Sequence, residues 1–261
     1  MKTKFWLSVV ICIALCFSFP HVAIGQNLTS SLFDKALYES KEGNLSDALD
    51  SWNEFLLSYP EDPIALSNRG NIRFALGDAE GAIRDQTRSI ELLPLETDSH
   101  LNRAVAEEFL GQWDLAKLDY QWVLQREPDN SSALNNLGNV MGAQNDWVQS
   151  KLLFNQAFTS NPEFIVARSN KALACYQLKQ FDEAEKELRS IIRKYPLFAD
   201  ARAAMSALLW RQGLSGEAES HWAAAVGLDN RYQEEDWLVN IRRWPPDVIY
   251  DLMAFLKLEN I

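Results

Sequence analysis

The sequence predicts an all-α fold built from six helical hairpins, and three periodic features carry that prediction. Prolines recur every 34 residues, two columns of small residues keep the same register, and a turn-forming column lies between them. The proline series is Pro60, Pro94, Pro128, Pro162 and Pro196, with Asn230 at the sixth place. Five of the nine prolines fall in this one register, which indicates a true internal repeat.

The small columns lie 24 and 12 residues before each position of the proline series. The first column is Ala36, Gly70, Ala104, Gly138, Ala172 and Ser206, and the second is Ala48, Ala82, Ala116, Ser150, Ala184 and Ala218. Small side chains are what two helices need where their axes approach to about 8–10 Å. Eight residues before each proline position stand mostly large groups that would fill the space between repeats: Trp52, Gln86, Tyr120, Phe154, Leu188 and Trp222.

The turn column predicts where each hairpin reverses. It consists of Gly43, Gly77, Gly111, Asn145, Lys179 and Gly213. Glycine and asparagine tolerate the left-handed conformation that ends a helix, so Lys179 is the one departure. Acidic residues follow within three positions in four repeats and are predicted to cap the second helix: Asp78, Asp114, Asp146 and Asp182. Each proline then ends that second helix, because it cannot continue the hydrogen-bond ladder.

The six repeats therefore span residues 29–62, 63–96, 97–130, 131–164, 165–198 and 199–230. Residues 231–261 break the period and form a C-terminal extension. Within it, Pro246 suits the first turn of a helix, and apolar residues at helical spacing predict an amphipathic helix to Leu258. We expect a capping helix that covers the last repeat, with a second docking surface as the alternative.

These columns resemble the tetratricopeptide repeat (TPR) family, whose 34-residue hairpins carry small, small, aromatic and proline signatures at the same spacings. The resemblance covers residues 29–230 and implies a right-handed α-solenoid of six TPR hairpins that binds other proteins in a concave groove. The departures are Gln86, Leu188, Ser150, Ser206 and Asn230. The Arg242-Arg243-Trp244-Pro245-Pro246 stretch resembles extensions of TPR proteins from cyanobacteria and plastids.

Composition argues against catalysis and against nucleic acid as a partner. The formal charge is -11, whereas nucleic acids and anionic membranes attract clustered Lys and Arg. His100 and His221 lie outside any metal-ligand pattern, and no phosphate-binding loop or nucleophile elbow is present. Cys175 is predicted to be a buried, inert thiol. The sequence predicts no enzyme, no cofactor, no metal site and no small-molecule substrate.

Residues 1–25 have the form of a signal peptide. An apolar run from Phe5 to Phe19 is followed by Pro20 and the small-residue site Ala23-Ile24-Gly25. The alternative is an uncleaved anchor over residues 5–24. Either form predicts export, and the cyanobacterial resemblance implies the periplasm or the thylakoid lumen.

The candidate binding residues lie two positions before the first small column, about 200° around the first helix from it. This column is Asp34, Asn68, Asn102, Asn136, Asn170 and Ala204. The resemblance implies that it lines the inner groove, where a similar asparagine ladder in glycosyltransferase-linked members grips an extended peptide. An amide supplies both a donor and an acceptor to a peptide unit. The alternative is that these asparagines are structural or solvated.

Further candidates lie near this stripe. Asn71 and Asn139 follow Asn68 and Asn136 by three residues and lie on the same stripe. Four aromatic residues are predicted to be apolar anchors, with core packing as the alternative: Phe74, Phe109, Tyr176 and Trp210. Arg69, Arg103 and Lys171 precede the small column and are expected to pair with nearby acids.

The sequence therefore predicts a non-enzymatic scaffold or assembly factor that binds an extended peptide or helix of another protein. The resemblance extends this to membrane-complex clients, including photosynthetic complexes under assembly. The alternative is a membrane-tethered structural or envelope-assembly component that acts through the C-terminal extension.

Overall fold

The computed structural model describes residues 28–259, with side chains described from Ser31 to Lys257. Over these residues the regular structure is entirely helical and forms two compact bodies, one ending at Pro128 and the other beginning at Asp129. The predicted signal peptide or anchor lies outside the described residues. Between residues 28 and 259, no helix combines the length and apolar character needed to cross a membrane.

The N-terminal body contains repeats 1 to 3. Its six helices are α1 (Leu28–Glu42), α2 (Leu45–Ser58), α3 (Pro63–Ala75), α4 (Ala79–Leu92), α5 (Thr97–Phe109) and α6 (Trp113–Arg126). Odd-numbered helices are the first helices of their hairpins, and even-numbered helices are the second. Each pairs with the other of its own hairpin, and α2 and α4 also pack against the first helix of the following repeat.

The C-terminal body contains repeats 4 to 6 and the extension. Its hairpin helices are α7 (Ser131–Ala143), α8 (Trp147–Ser160), α9 (Ile165–Gln177), α10 (Phe181–Lys194), α11 (Ala199–Arg211) and α12 (Ser215–Leu228). The extension has a 3-10 turn (Asn230–Gln233), a short helix α13 (Glu235–Trp237), a π-helical turn (Leu238–Arg242) and helix α14 (Pro246–Glu259). The predicted C-terminal helix is thus present.

The six turn residues all adopt the left-handed conformation. Lys179, with φ of 62°, has the same backbone conformation as the glycines and Asn145. In each repeat the following residue donates its backbone N–H to the carbonyl five residues earlier, as Gln180 does to Cys175 at 2.9 Å. This bond closes the first helix whatever the side chain at the turn, which is why lysine is accommodated.

The proline positions also match the prediction. Each lies two residues beyond the last residue of a second helix, as Pro196 does after Lys194, and Asn230 does after Leu228. Asp78 and Asp146 cap second helices by accepting a backbone N–H, at 2.8 and 3.1 Å. The capping prediction was wrong for Asp114 and Asp182, because their helices begin earlier and place both carboxylates inside the first turn.

Both small columns are buried in every repeat, as predicted. At Gly138 the fit is tight: a Cβ there would lie 2.6 Å from the ring of Phe154, and the Ser150 hydroxyl donates to the Gly138 carbonyl at 2.8 Å. The helices of repeat 4 approach this closely because position 138 has no side chain.

The large column is buried throughout as well, and its polar members are satisfied internally. The Trp52 indole donates to Ser40 Oγ at 3.0 Å, and the Tyr120 hydroxyl donates to Glu108 at 2.7 Å. Gln86 fills the same place in repeat 2. Its amide donates to the Ser67 carbonyl and to Asn71 Oδ1, both at 2.9 Å, and accepts from the Ser67 hydroxyl.

Replacing Gly138 with alanine tests the close approach in repeat 4. The added methyl group would collide with the enclosed Phe154 ring, so Gly138→Ala should lower the free energy of unfolding by about 1–3 kcal/mol. Chemical denaturation monitored by circular dichroism measures this.

Gly227→Ala is the matched control, since a Cβ at Gly227 meets no atom within 4 Å. It should leave stability unchanged or raise it by up to about 1 kcal/mol. Equal effects of the two substitutions would show that the helices of repeat 4 are not in contact at Gly138.

Candidate protein-binding face

The first helices present one side to their paired second helices and the opposite side away from them. We call that opposite side the first-helix face. In the N-terminal body it carries Asn68 on α3 and Asn102 on α5, at equivalent positions of repeats 2 and 3. Their side chains are 0% and 4% exposed, and neither the amide nitrogen nor the amide oxygen of either residue has a hydrogen-bond partner.

Two buried amides without partners are unusual in a folded protein. Most buried polar groups are paired, and an unpaired one costs about 1–3 kcal/mol. The four unused donor and acceptor groups of Asn68 and Asn102 match those of a peptide backbone, which offers N–H and C=O groups in alternation. The face therefore has an unmet capacity for hydrogen bonding.

Aromatic side chains lie on the same two helices. Phe74 of α3 and Phe109 of α5 meet edge to face, with ring centroids 5.5 Å apart, and both are half-buried. The partly exposed ring of Phe74 leaves apolar area on the same helix as Asn68, as an anchor for a guest side chain requires.

Asn71 serves a different role from the one predicted. It is buried, and its Oδ1 accepts a hydrogen bond from Gln86 of α4 at 2.9 Å. It follows Gly70 at the seam, where the absence of a side chain leaves room for Gln86 to reach it. The sequence does carry a signal for this contact, namely the polar Gln86 in a column of large apolar groups.

The asparagines of repeat 4 are partly accessible. Asn136 and Asn139 of α7 are half-buried, and Asn136 Oδ1 accepts from the neighbouring Asn135 amide at 3.2 Å. Asn135 in turn accepts from Asn170 of α9 at 3.0 Å, so amides of repeats 4 and 5 bond to each other.

The remaining predicted anchors are covered by the C-terminal extension. Asn170 accepts from Arg242 at 3.0 Å, the buried Tyr176 hydroxyl donates to Asp251 at 2.7 Å, and Trp210 packs against Phe255 with ring centroids 5.8 Å apart. Helix α14 lies against α9 and α11, the first helices of repeats 5 and 6. Asn170 and Tyr176 are therefore closed to a guest while the extension stays in place, and Trp210 is partly covered.

Ion pairs repeat between the helices of a hairpin, as expected for the basic residues at the seam. Arg69 pairs with Asp85 and Arg103 with Asp119, both at 2.7 Å, and Lys171 pairs with Glu187 at 3.0 Å. Each acid follows its base by 16 residues. The bases are thus engaged within their repeats, which argues against a carboxylate-binding role.

Glu107 has an uncompensated carboxylate beside one of these pairs. It is 6% exposed, one of its oxygens has no hydrogen-bond partner, and Arg103 lies 3.9 Å from the other. Burial and the charge of Asp119 raise the pKa of Glu107 to about 7, because Arg103 is mostly engaged by Asp119. Cys175 is fully buried, and burial raises the pKa of its thiol to about 11, so it is inert, as predicted.

Comparison with known proteins agrees with the repeat geometry. Two tetratricopeptide repeat family models match residues 33–94 and 143–208. The chain is a tetratricopeptide repeat protein. A TPR protein from Parabacteroides merdae superposes with a TM-score of 0.65 at 19% identity, over 88% of this chain and 98% of that one. Structures this distant in sequence establish the fold of a TPR protein and nothing further.

Two other similar proteins bear on binding. The TPR protein YrrB, described as having an unusual peptide-binding site, superposes with a TM-score of 0.54 at 16% identity, over 69% of this chain and 92% of that one. Hsp70-Hsp90 organizing protein 2 of Arabidopsis thaliana is 30% identical over 95 residues, or 36% of this TPR chain and 17% of its own length. The matched segments span a quarter or less of the first curated relatives.

The described side chains form no cluster of potential metal ligands. From residue 28 to residue 259, no three His, Cys, Asp or Glu side chains converge as metal ligands would. Sequence reasoning missed a buried acidic site at Asp200, which Arg242 fills at 2.7 Å. The only sequence signal was the Arg242-Arg243 pair in the extension.

The raised pKa of Glu107 predicts a pH-dependent stability. The folded carboxyl holds its proton up to about pH 7, whereas the ordinary value of 4.5 applies after unfolding. The unfolding free energy should therefore fall as the pH rises from about 4.5 to 7. Glu107→Gln should remove this fall and exceed the wild type by about 1–3 kcal/mol at pH 8.

Urea denaturation at pH 5 and pH 8 measures the difference. The control is Glu80→Gln, which neutralises an exposed glutamate of the same body and should parallel the wild type. A Glu107→Gln advantage that is equal at both pH values would contradict the assignment.

Proposed function

We propose that this TPR protein is a non-enzymatic scaffold or assembly factor that binds an extended segment of another protein. The site is the first-helix face of the N-terminal body, with Asn68 and Asn102 as the gripping amides and Phe74 as an apolar anchor. One observation carries the proposal: both amides are buried without any hydrogen-bond partner, at equivalent positions of consecutive repeats.

The chemistry of that face favours peptide backbone over other guests. Amides bond to N–H and C=O groups without requiring a particular side chain, and the paired bases Arg69 and Arg103 are already neutralised. A guest must open the face to reach both amides, since they are enclosed. Binding should therefore be limited by a conformational step.

The comparisons support proteins as the partner class. YrrB is described as having a peptide-binding site, and the plant relative is named for organising Hsp70 and Hsp90. The leader over residues 1–25 supports export to the periplasm or thylakoid lumen. Membrane complexes under assembly, photosynthetic ones included, are the clients that we propose for that compartment.

The alternative is a membrane-tethered component that acts through the C-terminal extension. The extension buries most of its apolar residues within its own body: Leu238, Trp244, Val248, Ile249, Leu252 and Phe255. Up to Lys257, Val239 and Tyr250 are its large apolar side chains that remain well exposed. This arrangement supports the first-helix face over the extension as the docking surface.

Replacing Asn68 and Asn102 together with alanine tests the proposal. A peptide selected on the full-length protein from a phage-displayed random library serves as the probe. The double variant should bind it at least about tenfold more weakly, since bonds to buried amides contribute about 0.5–1.5 kcal/mol each. Its thermal stability should be unchanged or higher, because two unpaired polar groups are removed.

The control replaces the exposed amides Asn155 and Gln156 of α8 with alanine and should leave affinity unchanged. Fluorescence anisotropy measures affinity, and calorimetry measures stability. A double variant that loses stability but keeps its affinity would show that the two asparagines are structural.

The export proposal has its own test in the native host. Signal cleavage should leave Gln26 as the first residue, which intact mass measurement of the purified protein detects. Recovery of the full mass in the membrane fraction would instead establish the anchor over residues 5–24.

A further inference from the structure

A single buried carboxylate organises the junction between repeat 6 and the extension. Asp200 on α11 is 3% exposed and accepts hydrogen bonds from several donors. Arg242 grips it with two nitrogens, each at 2.7 Å, while the Trp244 indole and the Tyr232 hydroxyl donate at 3.0 Å and the Ser169 hydroxyl at 2.6 Å.

The donors divide into two sets by origin. Ser169 belongs to the repeats, whereas Arg242, Trp244 and Tyr232 belong to the extension. Within the described residues, the ion-pair partner of Asp200 is Arg242. Without the extension, the Asp200 carboxylate would lose its ion-pair partner and keep Ser169 as its donor from the repeats. The repeats thus form a socket for a planar cation, and Arg242 is the group that fills it.

The electrostatics fit a socket made for a guanidinium. Burial alone would raise the pKa of Asp200, but the charge and hydrogen bonds of Arg242 outweigh it and hold that pKa below its ordinary value. Burial opposes the charge on Arg242 too, yet Asp200 raises its pKa. Both groups are therefore ionised, and each depends on the other.

The backbone of the extension is distorted where it delivers this arginine. The chain makes a π-helical turn over Leu238–Arg242, and Arg243 follows in the left-handed conformation with φ of 54°. This left-handed residue ends the turn, and the Trp244 N–H donates to the Leu238 carbonyl at 2.9 Å. A segment that only sealed apolar surface would not need an ion pair, since apolar residues cover such surface equally well.

The extension occupies the positions predicted for a guest. Arg242 bonds to Asn170 of the asparagine column, and α14 covers Tyr176 and Trp210. We propose that the first-helix face of repeats 5 and 6 is a binding site for an arginine-bearing segment of a partner protein, with an aromatic residue close after the arginine. The extension is a tethered stand-in for that segment.

This site differs from the one under the proposed function in body, residues and chemistry, so either can fail alone. Tethering gives the extension an effective concentration of about millimolar. A guest that binds the empty socket with micromolar affinity would therefore be weakened about a thousandfold by an equally strong stand-in. The intact protein should bind such a guest poorly until the stand-in is weakened.

The experiment weakens the contact between the extension and the repeats in the full-length chain and adds a peptide copy of the extension in solution. The probe is a fluorescent peptide of residues 238–259, alongside the same peptide with Arg242→Gln. The Arg242→Gln protein should bind the unaltered peptide at least about tenfold more tightly than wild-type protein does. It should bind the altered peptide no better than wild type, and Asp200→Asn added to Arg242→Gln should abolish the gain.

Arg193→Gln is the matched control, because it removes the same charge from an exposed position of α10 and should behave as wild type. Trypsin provides an internal monitor in the Arg193→Gln chain, because Arg242 is half-buried and held by Asp200 and should therefore resist cleavage. Equal binding of both peptides by the Arg242→Gln protein would overturn the proposal, as would no binding of either.

A second measurement covers the case in which Arg242→Gln fails to fold. A specific protease site inserted between the exposed residues Gln233 and Glu234 allows the folded wild-type chain to be cut. The severed extension should then exchange with the unaltered peptide and not with the altered one. Absence of exchange, or equal exchange with both peptides, would show that Arg242 is a structural element only.

Discussion

Close contact between a small residue on each first helix and a small residue on its second helix sets the geometry of every repeat. The contact fixes which side of a first helix faces its partner, and therefore which side faces away. Asn68 and Asn102 lie about 200° around the helix from the seam residues Gly70 and Ala104, and both are buried there. The packing of each hairpin thus decides which residues could bind a guest. Residues on the side away from the second helix are not needed to join the two helices, so they are available to contact a partner.

The fold could be predicted closely because its determinants are local. The residues that form the turns, the helix contacts and the helix ends act on neighbouring residues in the chain. Their spacing alone therefore predicted the hairpins. Lys179 shows where prediction from residue type stops. Its backbone adopts the same left-handed conformation as the turn glycines, although lysine rarely does so. Asp114 and Asp182 show another limit, because the cap position falls on the residue after the turn, which is Gln112 or Gln180 in these repeats, and each aspartate lies two residues later.

The candidate site could be predicted only in part, and distance along the chain explains why. Asn170 and Arg242 are 72 residues apart, and Asp200 and Arg242 are 42 apart. No spacing rule selects one pair from 36 acidic and 25 basic residues. The asparagine column was found from its register, whereas the segment that covers part of it could be recognised only from the folded chain.

Gln86 bears on how freely the repeats could be interchanged. Its amide bonds to Ser67 and Asn71, and the absence of a side chain at Gly70 leaves room for it. These four residues form an interdependent polar core in a position where neighbouring repeats use aromatic packing. Recombination that moved α4 without α3 would strand hydroxyl and amide groups in an apolar setting. We therefore expect repeat 2 to keep its stability only when α3 and α4 are transferred together, despite the modular appearance of the sequence.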